Sequence, residues 1–495
     1  MAALRVQSWR GSVTSGGGLQ TEAAAAAGAA ADDAGLRELG YAQELLRAMG
    51  GFHNFALSFS IISVLTGAVT LYGHGLVNGG PLVMLLGWPL VTLLTLPVAA
   101  SLAQLASSYP TAGALYHWST LLGGRGLGFA TAWLNVLGQF AITAGIDYGL
   151  AGFLADLFGF GDQRPKVIGL YAFLLIGHAA LNHLGVRLVA RLNSLSAWVH
   201  IGGVAIIATA LFLLAPHQPL SFLAVRHQPA PGQYAPIFLL GLLQACWTFT
   251  GYDASAHACE ETRDPTRNAP WGIFLSVAVS GVVGWVLILA VTLAVPDLAA
   301  ATAAQNPFIA VLEGALGKTL GALLVWVAMA AMWFCGLASV TSNSRMLWAL
   351  ARDGGLPLSP LLARVSPRWS TPHVAVWVSA AAAFVLALWA EAYTAVVALS
   401  TVALYASYGL PIAAGLVARR SGRWSRRGPW DLGRHSAWVN VLALAWVAVA
   451  IVLFVIPPNQ LAGEAFAATL VGLSGYWLLW MKKRFKGPPG SAARG

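Results

Sequence analysis

The chain has 495 residues, of which 58% are hydrophobic and only 9% charged. A soluble globular chain carries about 25% charged residues, and here apolar runs of about 20 residues recur, each able to cross a hydrocarbon core of roughly 30 Å. This excludes a secreted enzyme behind one signal segment, and the net charge of +10 does not argue for nucleic-acid binding, because Lys and Arg on a polytopic membrane protein set topology.

Residues 1–34 are rich in Ala, Gly and Ser and lack the Leu-rich centre of a signal segment. They read as a disordered tail. In residues 35–50, Leu36, Leu39, Leu46 and Met49 share a face, which predicts a short interfacial helix. The chain is then predicted to be an all-α integral membrane protein with twelve transmembrane helices. Their expected bounds are 53–77, 81–107, 127–157, 167–185, 191–215, 234–259, 270–296, 318–350, 373–390, 393–418, 437–457 and 463–482. The third and eighth are long enough to tilt or to extend past the hydrocarbon.

Charge asymmetry supports that count. With the N-terminus inside, 24 Lys/Arg fall on inner segments, and only Arg164, Lys166, Arg226 and Lys318 fall outside. That places both termini in the cytoplasm of a multi-pass cell-membrane protein.

The first span carries Thr66-Gly67 near its middle, and the sixth carries Thr250-Gly251 at an offset of 184 residues. Five spans separate them, so the second copy starts in the opposite orientation. Inverted odd-numbered repeats with matching helix interruptions frame a central site in secondary transporters. Glycine also serves close helix packing, and the dipeptides alone do not decide between the two.

Asp253 lies three residues past Thr250, inside an apolar run. An ionised carboxylate at bilayer depth costs about 2.5–3.5 kcal/mol on insertion scales. It either caps the second half-helix, pairs with a loop arginine, or belongs to the substrate or proton path. His200 is the sole ionisable residue in the body of the fifth span. It either binds a backbone carbonyl as a neutral ring or changes charge near physiological pH. Trp247, one turn before the break, either packs or closes over a small-molecule cavity. Asn135, Gln139 and Thr143 are spaced by four on the third span, and Asp147 follows. The first three make a polar stripe that lines a cavity or bridges helices. Thr341, Ser342 and Asn343 in the eighth span offer oxygens for an ion or for a helix end. Tyr405 and Tyr408 in the tenth either pack in the core or line an outer vestibule. Glu260 and Glu261 are expected to face Arg263 and Arg267 in the next loop.

Cys246, Cys259 and Cys335 have no metal-ligand spacing. There is no phosphate-binding glycine loop, zinc-protease motif or catalytic triad motif. No cofactor, metal or enzymatic activity is expected, and any pumping draws on an ion gradient.

Five blocks carry a resemblance: FALSFSIISVLTGAVTLYGHGLVNGGP, SSYPTAGALYHWS, NHLGVRLVARLNSLSAWVH, TGYDASAHACEETRDPTRNAPWGI and SNSRMLWALARDGGLP. Together they resemble the amino acid/choline transporter family of the amino acid–polyamine–organocation superfamily, over residues 35–482. The resemblance implies a ten-helix core as two inverted five-helix repeats, about 51–215 and 234–418. It also implies two peripheral helices within 419–483, with 1–50 and 484–495 as tails. It implies secondary transport of amino acids, GABA, choline or related amines through the bilayer.

By the same resemblance, the unwound part of span one maps to Ser63, Leu65, Thr66 and Gly67. That of span six maps to Phe249, Thr250 and Gly251, with Asp253 beyond. Trp247 matches the gate aromatic of related exchangers. His200 falls where related proton-coupled permeases carry a lysine in place of a sodium site. Many superfamily members read Gly-Ser-Gly in span one, where this chain reads Leu-Thr-Gly. The expected function is therefore a permease coupled to protons or sodium. Gln139 joins the substrate candidates, and Thr341 and Ser342 join His200 as coupling-ion candidates. A polyamine or amino acid exchanger without proton coupling is the alternative.

Overall fold

Helix starts and stops follow local chemistry in this computed structural model, which describes residues 15–161, 163–228, 232–389 and 393–489. The N-terminal α1 spans Ser15–Glu38. The predicted disordered tail is thus helical from Ser15, because alanine is the strongest helix former. The predicted helix over 35–50 is also corrected. Helix ends at Glu38, and residues 39–50 cross the bundle end as an extended strap with Met49 bridged to Thr262. Leu36, Leu39 and Met49 are buried while Leu46 is exposed.

The first apolar run forms three pieces: α2 Gly51–Ile62, α3 Val64–Thr70 and α4 Tyr72–Val77. Gly80 at φ 73° turns the chain into α5, Pro81–Ser108, whose proline occupies the first turn. Then come α6 Ala114–Gly123, α7 Arg125–Leu157, α8 Arg164–His183 and α9 Val186–Leu214. The second half opens with another divided run: α10 Tyr234–Gly241, α11 Leu243–Thr248 and α12 Ala254–His257. It continues with α13 Pro265–Leu293, α14 Leu298–Ala303, α15 Pro307–Leu316, α16 Lys318–Arg352 and α17 Ser359–Leu362. The chain closes with α18 His373–Trp389, α19 Tyr393–Arg420, α20 Ser436–Val455, α21 Gln460–Tyr476 and α22 Lys482–Arg484.

Among the described residues nine helices are long and apolar enough to cross a membrane. The sixth, ninth and twelfth predicted runs fall outside that set. The sixth is broken, the twelfth runs into a π-turn at Trp477–Met481, and the ninth is described only as far as Trp389. At 33 and 35 residues, α7 and α16 are about 50 Å long, beyond a hydrocarbon core.

The interior is built from α2, α3, α7, α11, α12, α16 and α19, which are buried along most of their lengths. The outer helices turn apolar side chains outward, as with Phe173 (75% exposed), Leu213 (76%) and Leu479 (89%). An outward belt of this kind is the surface a chain presents to lipid.

Candidate substrate and ion site

The two divided runs meet at the centre of the bundle. The first breaks at Ser63, held at φ 33°, a backbone state that costs about 1–3 kcal/mol for a non-glycine residue. Thr66 and Gly67 lie just inside the resumed helix, and their amides donate to the Ser63 carbonyl at 2.8 and 2.9 Å. The interruption is thus three residues before the Thr-Gly pair. In the second run Phe249–Asp253 is non-helical, and Gly251 sits at φ 81°. There the Thr-Gly pair is within the break itself.

Close approach explains the glycines as well. A Cβ on Gly67 would lie 2.1 Å from Thr248 Oγ1, and one on Gly251 would lie 2.2 Å from Ile61 Cγ2. Each break is packed against the other run. Leu65 points instead toward α9, where a Cβ on Gly203 would lie 2.7 Å from its Cδ1. Phe249 packs on Trp88 with ring centroids 5.0 Å apart. The Thr250 hydroxyl donates to the Trp247 carbonyl (2.6 Å).

His200 of α9 is buried beside the first break. Its Nε2 is 2.6 Å from the Ser63 hydroxyl, which is also 2.5 Å from the Thr66 hydroxyl. Its Nδ1 is 2.8 Å from the Ser196 carbonyl. A neutral ring satisfies both contacts, with Nδ1–H donating and Nε2 accepting. Cys335 of α16 faces the same break, its thiol donating to the Ile61 carbonyl (3.3 Å). The structure does not gather the other ion candidates here. Thr341 turns away to donate to Asn182 Oδ1 (2.7 Å), and Ser342 accepts from Gln139 Nε2 (3.3 Å).

Asp253 opens α12 but accepts no capping bond from that helix. Its carboxylate instead accepts from Tyr408 OH (2.8 Å), Asn135 Nδ2 (3.0 Å) and, at longer range, Gln139 Nε2 (3.5 Å). It also contacts His257 Nε2 at 3.1 Å. Tyr408 in turn accepts the Gly251 amide (2.9 Å), so it braces the second break from within. The buried Asn135 Oδ1 and Gln139 Oε1 have no protein partner. Asp147 faces away from this cluster and pairs with His178 (3.3 Å).

At one end of the bundle a cavity of about 510 Å³ is lined by Thr70, Tyr148, Asp156, Arg164, Asn306 and Tyr393 among others. Tyr393 forms its floor, donating to the Gly145 carbonyl (3.0 Å). Trp247 stands edge-on to Tyr393 with centroids 6.5 Å apart, and its indole N–H donates to Ser400 Oγ (3.1 Å).

Residues 51–476 match the family model described as amino acid permease. The chain belongs to the amino acid permease family. It is similar to the amino-acid permease BAT1 of Arabidopsis thaliana, at 36% identity over 92% of this chain and 95% of that protein. The BAT1 homolog of Oryza sativa is also 36% identical, over 94% and 97% of the two chains. The GABA-specific permease of Saccharomyces cerevisiae is 28% identical over 92% and 85%. The chain is thus a membrane transporter of the amino acid–polyamine–organocation superfamily and not an enzyme.

The end of the permease opposite the cavity is sealed by charge. Glu261 pairs with Arg345 at 3.0 Å with both side chains fully buried, and Glu260 pairs with Arg352 at 2.9 Å. This corrects the expected pairing with Arg263 and Arg267, because the short turn after α12 folds Glu260 and Glu261 inward toward α16. Arg352 also lies over the Tyr41 ring (3.9 Å). The strap is stitched on by main chain: the Met49 amide donates to Glu261 O (2.8 Å) and the Arg263 amide to Met49 O (2.9 Å).

Sequence reasoning missed His257, Arg345 and the bracing role of Tyr408. The signal for His257 was present, since it is one helical turn after Asp253. Arg345 falls within the eighth predicted span, but nothing local names Glu261, 84 residues away, as its partner.

Proposed function

We propose that the permease is a proton-coupled secondary transporter of amino acids or related amines such as GABA. It exposes a central site to each side of the membrane in turn. The observation that carries this reading is the contact between His200 and the break at Ser63. A protonatable ring there can do what a bound metal cation does elsewhere: its charge state fixes or frees the hydroxyl that holds the interrupted helix.

In this reading the ten-helix core runs over 51–418 as two inverted repeats, with peripheral helices within 419–483. The strap and the Glu260 and Glu261 ion pairs close the cytoplasmic face, which carries both termini. The 510 Å³ cavity faces outward. Substrate binds between Ser63, Thr66, Gly67, Phe249, Thr250 and Gly251 with Gln139 beside them, and Trp247 closes it from the cavity. Polar backbone at the breaks suits a carboxylate, and aromatic faces suit an ammonium group. Amino acid transport agrees with the names of the relatives.

The experiment is uptake into liposomes of purified protein, using labelled amino acids, GABA, choline and polyamines, under a proton gradient, a sodium gradient or neither. The reading requires accumulation of an amino acid or amine above equilibrium with the proton gradient alone. Accumulation with sodium alone, or equilibration under every condition, would replace it by a sodium symporter or an uncoupled exchanger.

A further inference from the structure

Hydrogen-bond accounting separates two buried histidines. His200 has one acceptor-only neighbour, the Ser196 carbonyl, and two hydroxyls, those of Ser63 and Ser196, one at each ring nitrogen. His257 lies between two acceptors. Its Nδ1 is 3.0 Å from the Ala112 carbonyl, and its Nε2 is 3.1 Å from Asp253 Oδ2. A carbonyl cannot donate, and an ionised carboxylate cannot either. A neutral imidazole has one N–H, so it would set a lone pair against an acceptor on one side or the other. Both side chains are fully buried, away from bulk solvent.

Moving the proton onto Asp253 does not change the count. Asp253 Oδ1 already accepts from Tyr408, whose hydroxyl hydrogen is directed there because its oxygen takes the Gly251 amide. Oδ2 accepts from Asn135. Whichever member carries it, the pair holds one proton more than a carboxylate beside a neutral ring.

We propose that Asp253 and His257 form a proton-binding site that locks the strap face, and that this proton leaves when that face opens. The proposal rests on the transport reading for its consequence but not for the proton itself. His257 is the latch. On one side it holds the break-bearing segment through Asp253. On the other it holds Ala112, in the turn between α5 and α6, whose own amide donates to Glu260 Oε1 (2.9 Å). Glu260 holds Arg352. Loss of the proton removes one of the two His257 bonds and so uncouples α12 from the seal.

Asp253 supplies the local charge. From α7 and α19 the groups that face the pair are the uncharged Asn135, Gln139 and Tyr408, with Tyr252 against Tyr408. On α2, Asn54 and Ser58 are spent on Ser255 and Tyr252. His117, beyond the Ala112 turn, is bonded to Thr111. Arg345 from α16 is matched by Glu261, and Arg267 at the start of α13 by Asp264. Cys259, two residues after His257, is a buried thiol.

The test is thermal unfolding of the purified permease from pH 5.5 to 9, for the natural protein, Asp253→Asn, His257→Gln and His200→Gln. The folded natural protein holds a proton that the unfolded chain gives up, so its Tm falls as pH rises across this range. Asp253→Asn can turn its amide N–H toward Nε2 and keep both His257 bonds with a neutral ring. Its Tm is expected to lose that slope, as is that of His257→Gln, whereas His200→Gln keeps it. In liposomes, one pH unit supports up to about tenfold accumulation per coupled proton, and Asp253→Asn is expected to lose the share carried by this site. A slope in Asp253→Asn equal to that of the natural protein overturns the proposal. If His257→Gln does not fold, Asp253→Asn alone decides it. Absence of uptake by the natural protein would sink the transport reading and leave the unfolding result to stand by itself.

Discussion

His200 Nε2 lies 2.6 Å from the Ser63 hydroxyl, at the one residue where the first membrane run leaves the helix between α2 and α3. A titratable ring and a strained backbone share that contact. Whatever changes the charge of the ring changes what holds Ser63 at φ 33°. The second break is braced differently, by Tyr408 reaching both Gly251 and Asp253.

The glycine at that second break is therefore needed twice. Gly251→Ala puts an L side chain at φ 81°, which costs about 1–2 kcal/mol. It also drives Cβ to 2.2 Å from Ile61 Cγ2, an overpacking cost of about 1–3 kcal/mol. The variant is expected to unfold at lower temperature and to lose most uptake while still inserting. Adding Ile61→Ala should return the overpacking part and not the backbone part. Full recovery in the double variant, by thermal unfolding, would show that the backbone conformation costs nothing.

The seal at the strap face makes a second prediction. Glu261 and Arg345 are both fully buried, and removing one partner of a buried pair costs about 3–5 kcal/mol. Glu261→Gln should destabilise by that order, whereas Glu261→Leu with Arg345→Met should recover much of it. Because the pair closes that face, the double variant should also label faster at a cysteine placed on α12. Equal labelling with and without the pair would remove it from the gate.

Acid dependence is expected in the basic loop before α20. Burial alone would raise the Asp431 carboxyl, but the Gly433 amide and the Arg419 and Arg427 guanidiniums outweigh it and hold the group below its usual range. A depressed folded value means the contribution is present above the unfolded value, near pH 3.9, and is lost as pH falls through the folded one. Asp431 also accepts from Gln104 at 2.6 Å, so protonation should loosen the 423–435 loop from α5. Relative to the intrinsic rate, amide protection in that loop should fall in acid, and Asp431→Asn should lack that protection at every pH.

Much of this was legible in the chain. Apolar run length gave the membrane class, and the long third and eighth runs became α7 and α16. The Thr-Gly pairs pointed to both breaks, but only the second lies within its own. The resemblance places Ser63 in the unwound part of span one, but nothing local names the partner that holds it, His200, 137 residues away. The polar stripe of Asn135 and Gln139 was visible from its spacing of four, while its target, Asp253, required the fold. The strap is not a helix because its face packs on the turn after α12, and main-chain bonds between Met49 and both Glu261 and Arg263 replace helical ones.

The measurement that tests the account most directly is amino acid accumulation by His200→Gln in liposomes under an inward proton gradient. The account predicts that the variant loses the share of accumulation that the His200 proton drives, while exchange of labelled for unlabelled amino acid continues. Accumulation by the variant with the same pH dependence as the natural protein would contradict it.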